Sequence, residues 1–392
     1  MHTRENQGMS TSNVEVNHHY LDHVVTLSER SEVQASEDIL SGNGIKLVAK
    51  GARIDARVRD RLLEHKLTKP LESLMQVVDS VATRRIDRVA ASLLERHPLL
   101  SSICGEASAR LHMSTMNHLI VSPQLDSLLS IYASQGEGKL EHAVGVALLS
   151  AALIEDLPGP GTNPATLMLA GLMHDIGELY VDPALLKGGQ RLTPQQWKHI
   201  ASHPIVGAKV LKDMPGAGPQ VALCVLHHHE RLDGFGYPQG LVSQSLPVMS
   251  QALAVAEMLF GLMESGSHHA ERAAMAMRLV PGEFNRRLLD RVVTAARGVQ
   301  AKAPVAEPDN FDAADLAERL TTLASTLGQL REVRERVQAE QASYGRDLRA
   351  LLDHALARGE RIRVSLASTG LETCSPQESL ERLQAMDGKA RL

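Results

Sequence analysis

Between residues 120 and about 300, apolar positions recur at three- and four-residue spacing, and the runs break only at Gly/Pro clusters: "LPGPGTNP", "LLKGGQRLTP" and "MPGAGPQ". This pattern predicts one continuous helical domain with turns at the clusters. The stretch "RLTPQQWKHIASHPIVGAKVL" starts a helix in a readable way, with Thr193 as N-cap, Pro194 at the first helical position, and Trp197, Ile200 and Val206 as apolar positions. Upstream, Val58, Leu62 and Leu63, then Leu74, Val77, Val78 and Val81, then Ile86, Val89, Ala90 and Leu93 repeat the helical spacing. Before them, "DILSGNGIKLVAKGARID" predicts a short β-hairpin around Asn43-Gly44. Residues 37–119 therefore read as a mostly helical N-terminal accessory domain, and residues 1–36, polar and without period, as a mobile tail.

Beyond the Pro/Ala linker at 301–310, Leu316, Leu320, Leu323, Leu327 and Leu330 alternate spacings of four and three, which predicts a long C-terminal helical region over 311–392. Its apolar seam serves either to pack back on its own domain or to join two copies in a coiled coil.

Composition narrows the class. Aromatic residues make up only 3% of the chain and the apolar stock is Leu, Ala, Val and Met, so the fold class expected is all-α. The net charge of −5 gives no general attraction to nucleic acid. Three cysteines, scattered and outside any CxxC spacing, fit a reducing, cytoplasmic compartment. The longest strongly apolar run, Ala252–Met263, contains Glu257 and is too short for a bilayer, and the polar start lacks the apolar core of a secretion signal. A cytoplasmic protein without a membrane span is expected.

The candidate chemistry lies in the 18 histidines. His18, His19, His268 and His269 stand in polar text, whereas His142, His174, His203 and the triplet His227-His228-His229 stand at or near the ends of apolar helices. A single helix-end histidine is commonly satisfied by a nearby carbonyl. Gathering five or more in one domain costs desolvation and mutual repulsion unless a cation organises them as neutral ligands. Imidazole and carboxylate without thiolate suit Fe, Mn, Ni, Co or Zn with open positions. Asp175, next to His174, can bridge two ions, as in a dinuclear phosphohydrolase centre.

The order His142, "HDIGE" (174–178), His203, "HHERLDGFGYP" (228–238) and "AVAE" (254–257) closely resembles the HD-GYP family of bacterial cyclic di-GMP phosphodiesterases, within the HD metal-dependent phosphohydrolases. The resemblance covers roughly residues 120–300. It implies an all-α domain whose metal ligands are His142, His174, Asp175, His203, His228, His229 and Glu257, holding two divalent ions. The resemblance further implies that Asp175 and His174 stand at the catalytic position and that hydroxide activated on the metals would cut cyclic di-GMP to pGpG or GMP. Gly234, Gly236 and Tyr237 fall on the substrate side, with Arg231 either within reach of a phosphate or a solvated surface residue. His227 has no counterpart as a ligand.

The chain departs from the family pattern in several places. Glu178 replaces the lysine of "HDIGK", and is expected at a solvated helix end rather than as an added ligand. No Arg-x-Tyr-Lys stretch follows the "AVAE" helix, so no second phosphate-binding cation is visible. Gly138 replaces the glutamate of members with a third metal, which implies two ions, and Glu257 replaces aspartate while keeping the carboxylate. Three functions follow: a cyclic di-GMP phosphodiesterase, an inactive cyclic di-GMP sensor or protein-interaction module serving signalling proteins, or a phosphohydrolase of another nucleotide.

Overall fold

The computed structural model describes residues 14–264, 277, 282–302, 313–340 and 345–367, apart from a few single positions and one pair between 79 and 160. The chain divides into two compact units, residues 1–268 and 269–392. Most described elements are helices, in keeping with the all-α expectation. No described helix is long and apolar enough to cross a membrane.

In the first unit the elements are α1 (His18–Ser28), β1 (Val33–Ala35), β2 (Ile39–Leu40), β3 (Lys46–Val48), α2 (Ala56–Leu63), β4 (Met75–Val77), α3 (Ala82–Arg96), α4 (Pro98–Cys104), α5 (Glu106–Met116), α6 (Pro123–Ala133), α7 (Lys139–Ile154), α8 (Pro164–Met173), α9 (Pro194–Ile200), α10 (His203–Lys212), α11 (Pro219–His227) and α12 (Val248–Glu264). The hairpin forms as expected: β2 pairs antiparallel with β3, and Gly44 takes a φ of 80° in the turn.

Two expectations for this region are corrected. Residues 14–36 are not part of a mobile tail, while residues 1–13 lie outside the described residues. Asn17 caps α1 by accepting from the Tyr20 amide, Tyr20, Leu21 and Val24 are fully buried, and Tyr20 stacks on Tyr180 at 4.9 Å. The apolar face of α1 is only a few residues wide, so its docking partner, 160 residues away, decides its order. Val77, read as a helical position, instead lies in β4, which pairs antiparallel with β1 through Val33↔Val77 and Ala35↔Met75. A short β-branched run satisfies both periods, and cross-strand pairing selected the strand.

The core is built around α7. Thirteen of its sixteen residues are buried, because α3, α4, α5, α6, α8 and α12 all pack on it. A helix apolar on all sides belongs in a core. Two glycines let the neighbours come close: a Cβ on Gly171 of α8 would stand 2.6 Å from the Ala147 Cα, and one on Gly145 of α7 would run into the Phe260 ring of α12. Consequently the N-terminal end of α7 meets the C-terminal end of α8 beside the middle of α12.

In the second unit, α13 (Arg286–Lys302), α14 (Ala313–Glu340) and α15 (Arg346–Ala367) follow. The C-terminal region is therefore not one long helix: α14 and α15 pack on each other, with Arg334 and Glu360 paired at 2.7 Å. Buried Glu283 is paired with Arg358 at 3.1 Å. Side chains of the five heptad leucines lie outside the described residues.

The close α7–α8 approach gives a direct check. Gly171→Ala is expected to destabilise the protein by about 1–3 kcal/mol in denaturant unfolding, from overpacking against a backbone that cannot move aside. Gly261→Ala in α12, where an added Cβ meets nothing within 4 Å, is expected to stabilise by about 0.5–1 kcal/mol.

Candidate metal centre

Each candidate ligand except Glu257, which lies in the middle of α12, is delivered by a helix end or the turn beside it. His142 sits in the first turn of α7, His174 caps the C-terminus of α8, His203 opens α10, and His228 caps α11. Gly177 makes the α10 approach feasible, since a Cβ there would fall 2.0 Å from the His203 carbonyl oxygen. Any side chain at 177 would push His203 away from Asp175.

The imidazoles are oriented by the backbone. The Nδ1–H groups of His174, His203 and His228 each donate to the carbonyl three residues earlier: Gly171 at 2.7 Å, Ile200 at 2.9 Å and Val225 at 2.6 Å. A neutral ring with its proton fixed on Nδ1 presents a bare lone pair at Nε2. These lone pairs converge. Nε2 of His142 is 3.2 Å from that of His174, and Nε2 of His203 is 3.1 Å from that of His228.

The carboxylates complete two groups. Glu257 Oε2 lies 3.0 Å from His142 Nε2 and 3.1 Å from His174 Nε2. Asp175 divides its oxygens: Oδ2 lies 3.2 Å from His174, while Oδ1 lies 3.3 Å from His203 and 3.5 Å from His228. His142, His174 and Glu257 form one set of potential ligand atoms, and Asp175, His203, His228 and His229 the other, with the atoms of each set within 4.8 Å of one another. Buried nitrogen lone pairs about 3 Å apart repel unless a proton or cation lies between them. The oxygen and nitrogen donors, without sulfur, fit hard or borderline divalent ions.

Protonation without metal follows the same geometry. Burial works against charge on His142, yet hydrogen bonds to Glu257 and Glu264 raise its pKa to about 9. Burial likewise opposes charge on His174, and Asp175 and Glu257 outweigh it to raise that pKa well above the ordinary value. On the other side, burial drives His228 down to about 4 and lowers His229 well below its usual range. Burial pushes Asp175 up, but His174 and the neighbouring histidines hold it well below the carboxylate range. Burial opposes charge on His203 as well, yet Asp175 raises it, so each set holds at least one histidine drawn toward its protonated form.

The structure brings all seven expected ligands into the two sets and leaves His227 out: its Nδ1 faces Ser250 Oγ at 3.4 Å. It also adds residues that sequence reading missed. The buried Tyr132 hydroxyl donates to Asp175 Oδ2 at 3.3 Å, and nothing in the sequence flags it. Glu264 accepts from the outer nitrogen of His142 at 2.7 Å; its place two turns after Glu257 on α12 was a usable signal.

The expectation of a solvated Glu178 is corrected. Glu178 is largely buried and forms an ion pair with Lys139, the first residue of α7. Burial and Asp175 raise the Glu178 pKa against the pull of Lys139, while Glu178 and Asp175 keep Lys139 charged despite its burial. Lys139 also lies 5.2 Å from the centre of the Tyr132 ring. Its position one turn before His142 was the available signal.

The loop from Arg231 to Leu241 forms the adjoining wall. Glu230, fully buried, accepts from the amides of Gln239 at 2.7 Å and Leu241 at 2.9 Å, closing the loop at its root. Gly236 passes so near that a Cβ would stand 2.4 Å from the Glu230 Cα, and Gly234 has a φ of 82°. The Tyr237–Pro238 peptide is cis. The Tyr237 ring stacks on His229 at 4.5 Å, and Arg231 Nη1 donates to the Glu230 carbonyl at 2.9 Å.

Residues 123–290 match the family model described as HD domain. Among curated relatives, the chain is 39% identical over 117 residues to "Cyclic di-GMP phosphodiesterase PA4108" of Pseudomonas aeruginosa, covering 30% of this chain and 28% of that protein. It is 32% identical over 129 residues to "Cyclic di-GMP phosphodiesterase response regulator RpfG" of Xanthomonas campestris, covering 32% of each. It is 27% identical over 203 residues to "3'3'-cGAMP-specific phosphodiesterase 1" of Vibrio cholerae, covering 46% of each. The chain thus spans between about a quarter and a half of these relatives' lengths.

Removing the root of the loop isolates its contribution. In Glu230→Ala, hydrogen exchange of the Gln239 and Leu241 amides is expected to accelerate by about tenfold or more, because each loses a bond to a buried carboxylate. Unchanged protection would mean that the loop is held by its other contacts.

Proposed function

We propose, taking residues 123–290 as an HD domain of the HD-GYP type, that this chain is a phosphodiesterase that hydrolyses cyclic di-GMP to pGpG or GMP on two divalent cations, iron or manganese. The observation that carries this reading is the double set of converging Nε2 lone pairs, divided by the two oxygens of Asp175. His142, His174 and Glu257 would hold one ion, and His203, His228 and His229 the other, with Asp175 giving one oxygen to each. Such a pair supplies Lewis-acid activation of water at neutral pH and neutralises phosphodiester charge.

The protein's own groups do the positioning. The Gly171, Ile200 and Val225 carbonyls fix the tautomers of His174, His203 and His228. Tyr132 orients the Asp175 carboxylate, and Glu264 steadies His142. Lys139 takes the place of the lysine missing at 178: tethered by Glu178, it is the cation presented beside Asp175 to a substrate phosphate. Gly234, Gly236 and Tyr237 shape the wall against which the nucleotide lies, with Arg231 at its root. A second reading, hydrolysis of a different cyclic dinucleotide, is favoured by the likeness to a relative named as 3'3'-cGAMP-specific.

Two experiments test this. Protein loaded with Fe(II) or Mn(II) is expected to hydrolyse cyclic di-GMP, with Asp175→Ala slower by more than about a hundredfold. Running 3'3'-cGAMP in parallel separates the two substrates, and binding without turnover of either would overturn the enzyme reading. The charge pair is tested by exchange. Glu178→Lys and Lys139→Glu are each expected to raise KM about tenfold and lower stability, because like charges then meet in a half-buried site, while the double exchange recovers to within about threefold. Tighter binding by Glu178→Lys alone would mean that position 178 itself faces phosphate.

A further inference from the structure

Trp197 is the chain's single tryptophan, and it is 49% exposed. It stands on α9, a helix with no buried residue, held in shape by a capping box between Thr193 and Gln196. Nothing in the core therefore calls for an indole there. It reaches the loop of residues 231–241, where the Trp197 ring meets the Tyr237 ring edge-on, at 5.6 Å and 72°. Tyr237 in turn stacks on His229 at 4.5 Å and 21°, and His229 belongs to the second ligand set. A ladder of rings thus runs from the surface to the metal centre, and its outermost rung has open ring area.

A half-exposed indole beside a phosphodiester site offers what a nucleobase needs, a rigid apolar face next to the place where the backbone phosphate is held. We propose that Trp197 is the stacking platform for a base of the cyclic dinucleotide, so that α9 contributes to substrate recognition although it supplies no ligand atom. This rests on the phosphodiesterase reading above. Stacking needs only a π-face, so Trp197 contributes grip on purine dinucleotides, and the choice between guanine and adenine lies with other contacts.

The single tryptophan supplies its own readout. Stopped-flow emission of the Mn(II)-loaded protein is expected to be quenched saturably by cyclic di-GMP, with the midpoint found by calorimetry. Trp197→Ala is expected to weaken binding about 5- to 100-fold and Trp197→Phe by no more than about threefold. Affinity for inorganic phosphate, which has no base, should stay unchanged in both variants. If the dinucleotide binds with full heat while emission stays flat and Trp197→Ala binds like wild type, the platform is overturned and the phosphodiesterase reading stands. A parallel loss of phosphate affinity in Trp197→Ala would assign the effect to the scaffold and likewise overturn the platform. If no dinucleotide binds to the wild type at all, both readings fall together.

Discussion

Much of this molecule is arranged around an electrostatic conflict. Five imidazoles and two carboxylates converge in a buried space, with Nε2 atoms facing one another at 3.1 and 3.2 Å. In such a place a bare lone pair is costly, and a proton or a metal ion must intervene. On the His142 and His174 side the carboxylates are close enough to recruit protons. On the other side burial lowers His228 and His229, while Asp175 raises His203 against its own burial. Each half of the cluster thus holds a histidine raised by a carboxylate, and the single aspartate between them belongs to both.

The fold imposes this geometry by rigid means. Three of the rings are locked through the backbone carbonyls three residues before them, which leaves them no alternative tautomer at small cost. Glycines at 171 and 177 bring the helix ends within reach of one another, because no side chain stands between the backbones. The loop carrying Tyr237 is closed by a buried carboxylate that is not part of the cluster, so its shape is set by Glu230 rather than by the clustered histidines and carboxylates. The cluster and the loop beside it are thus supported by separate interactions.

The Lys139–Glu178 pair alters the meaning of the sequence departure at 178. Seen alone, a glutamate in place of a lysine takes a positive charge away from the site. In the folded protein the lysine comes from the start of α7, and the glutamate is its tether. The glutamate at 178 thus has its countercharge beside it, and the pair as a whole adds no net charge near Asp175.

The sequence by itself determined the helices of the central domain, the Asn43-Gly44 hairpin and the identities of the seven ligand candidates. These are written in local spacing, in caps such as Thr193-Pro194, and in a motif string whose parts keep their order along the chain. Tertiary structure alone decided which elements were ordered by docking and which charges met. The apolar face of α1 is too narrow to hold a helix without Tyr180; Val77 fits either period until β1 lies beside it; and the C-terminal region folds into two packed helices instead of one. Tyr132 and Lys139 reach the site from other helices than Asp175 and Glu178, separated from them by about forty residues. Helical period is a property of neighbours three and four apart, whereas burial and ion pairing depend on contacts that spacing along the chain does not encode.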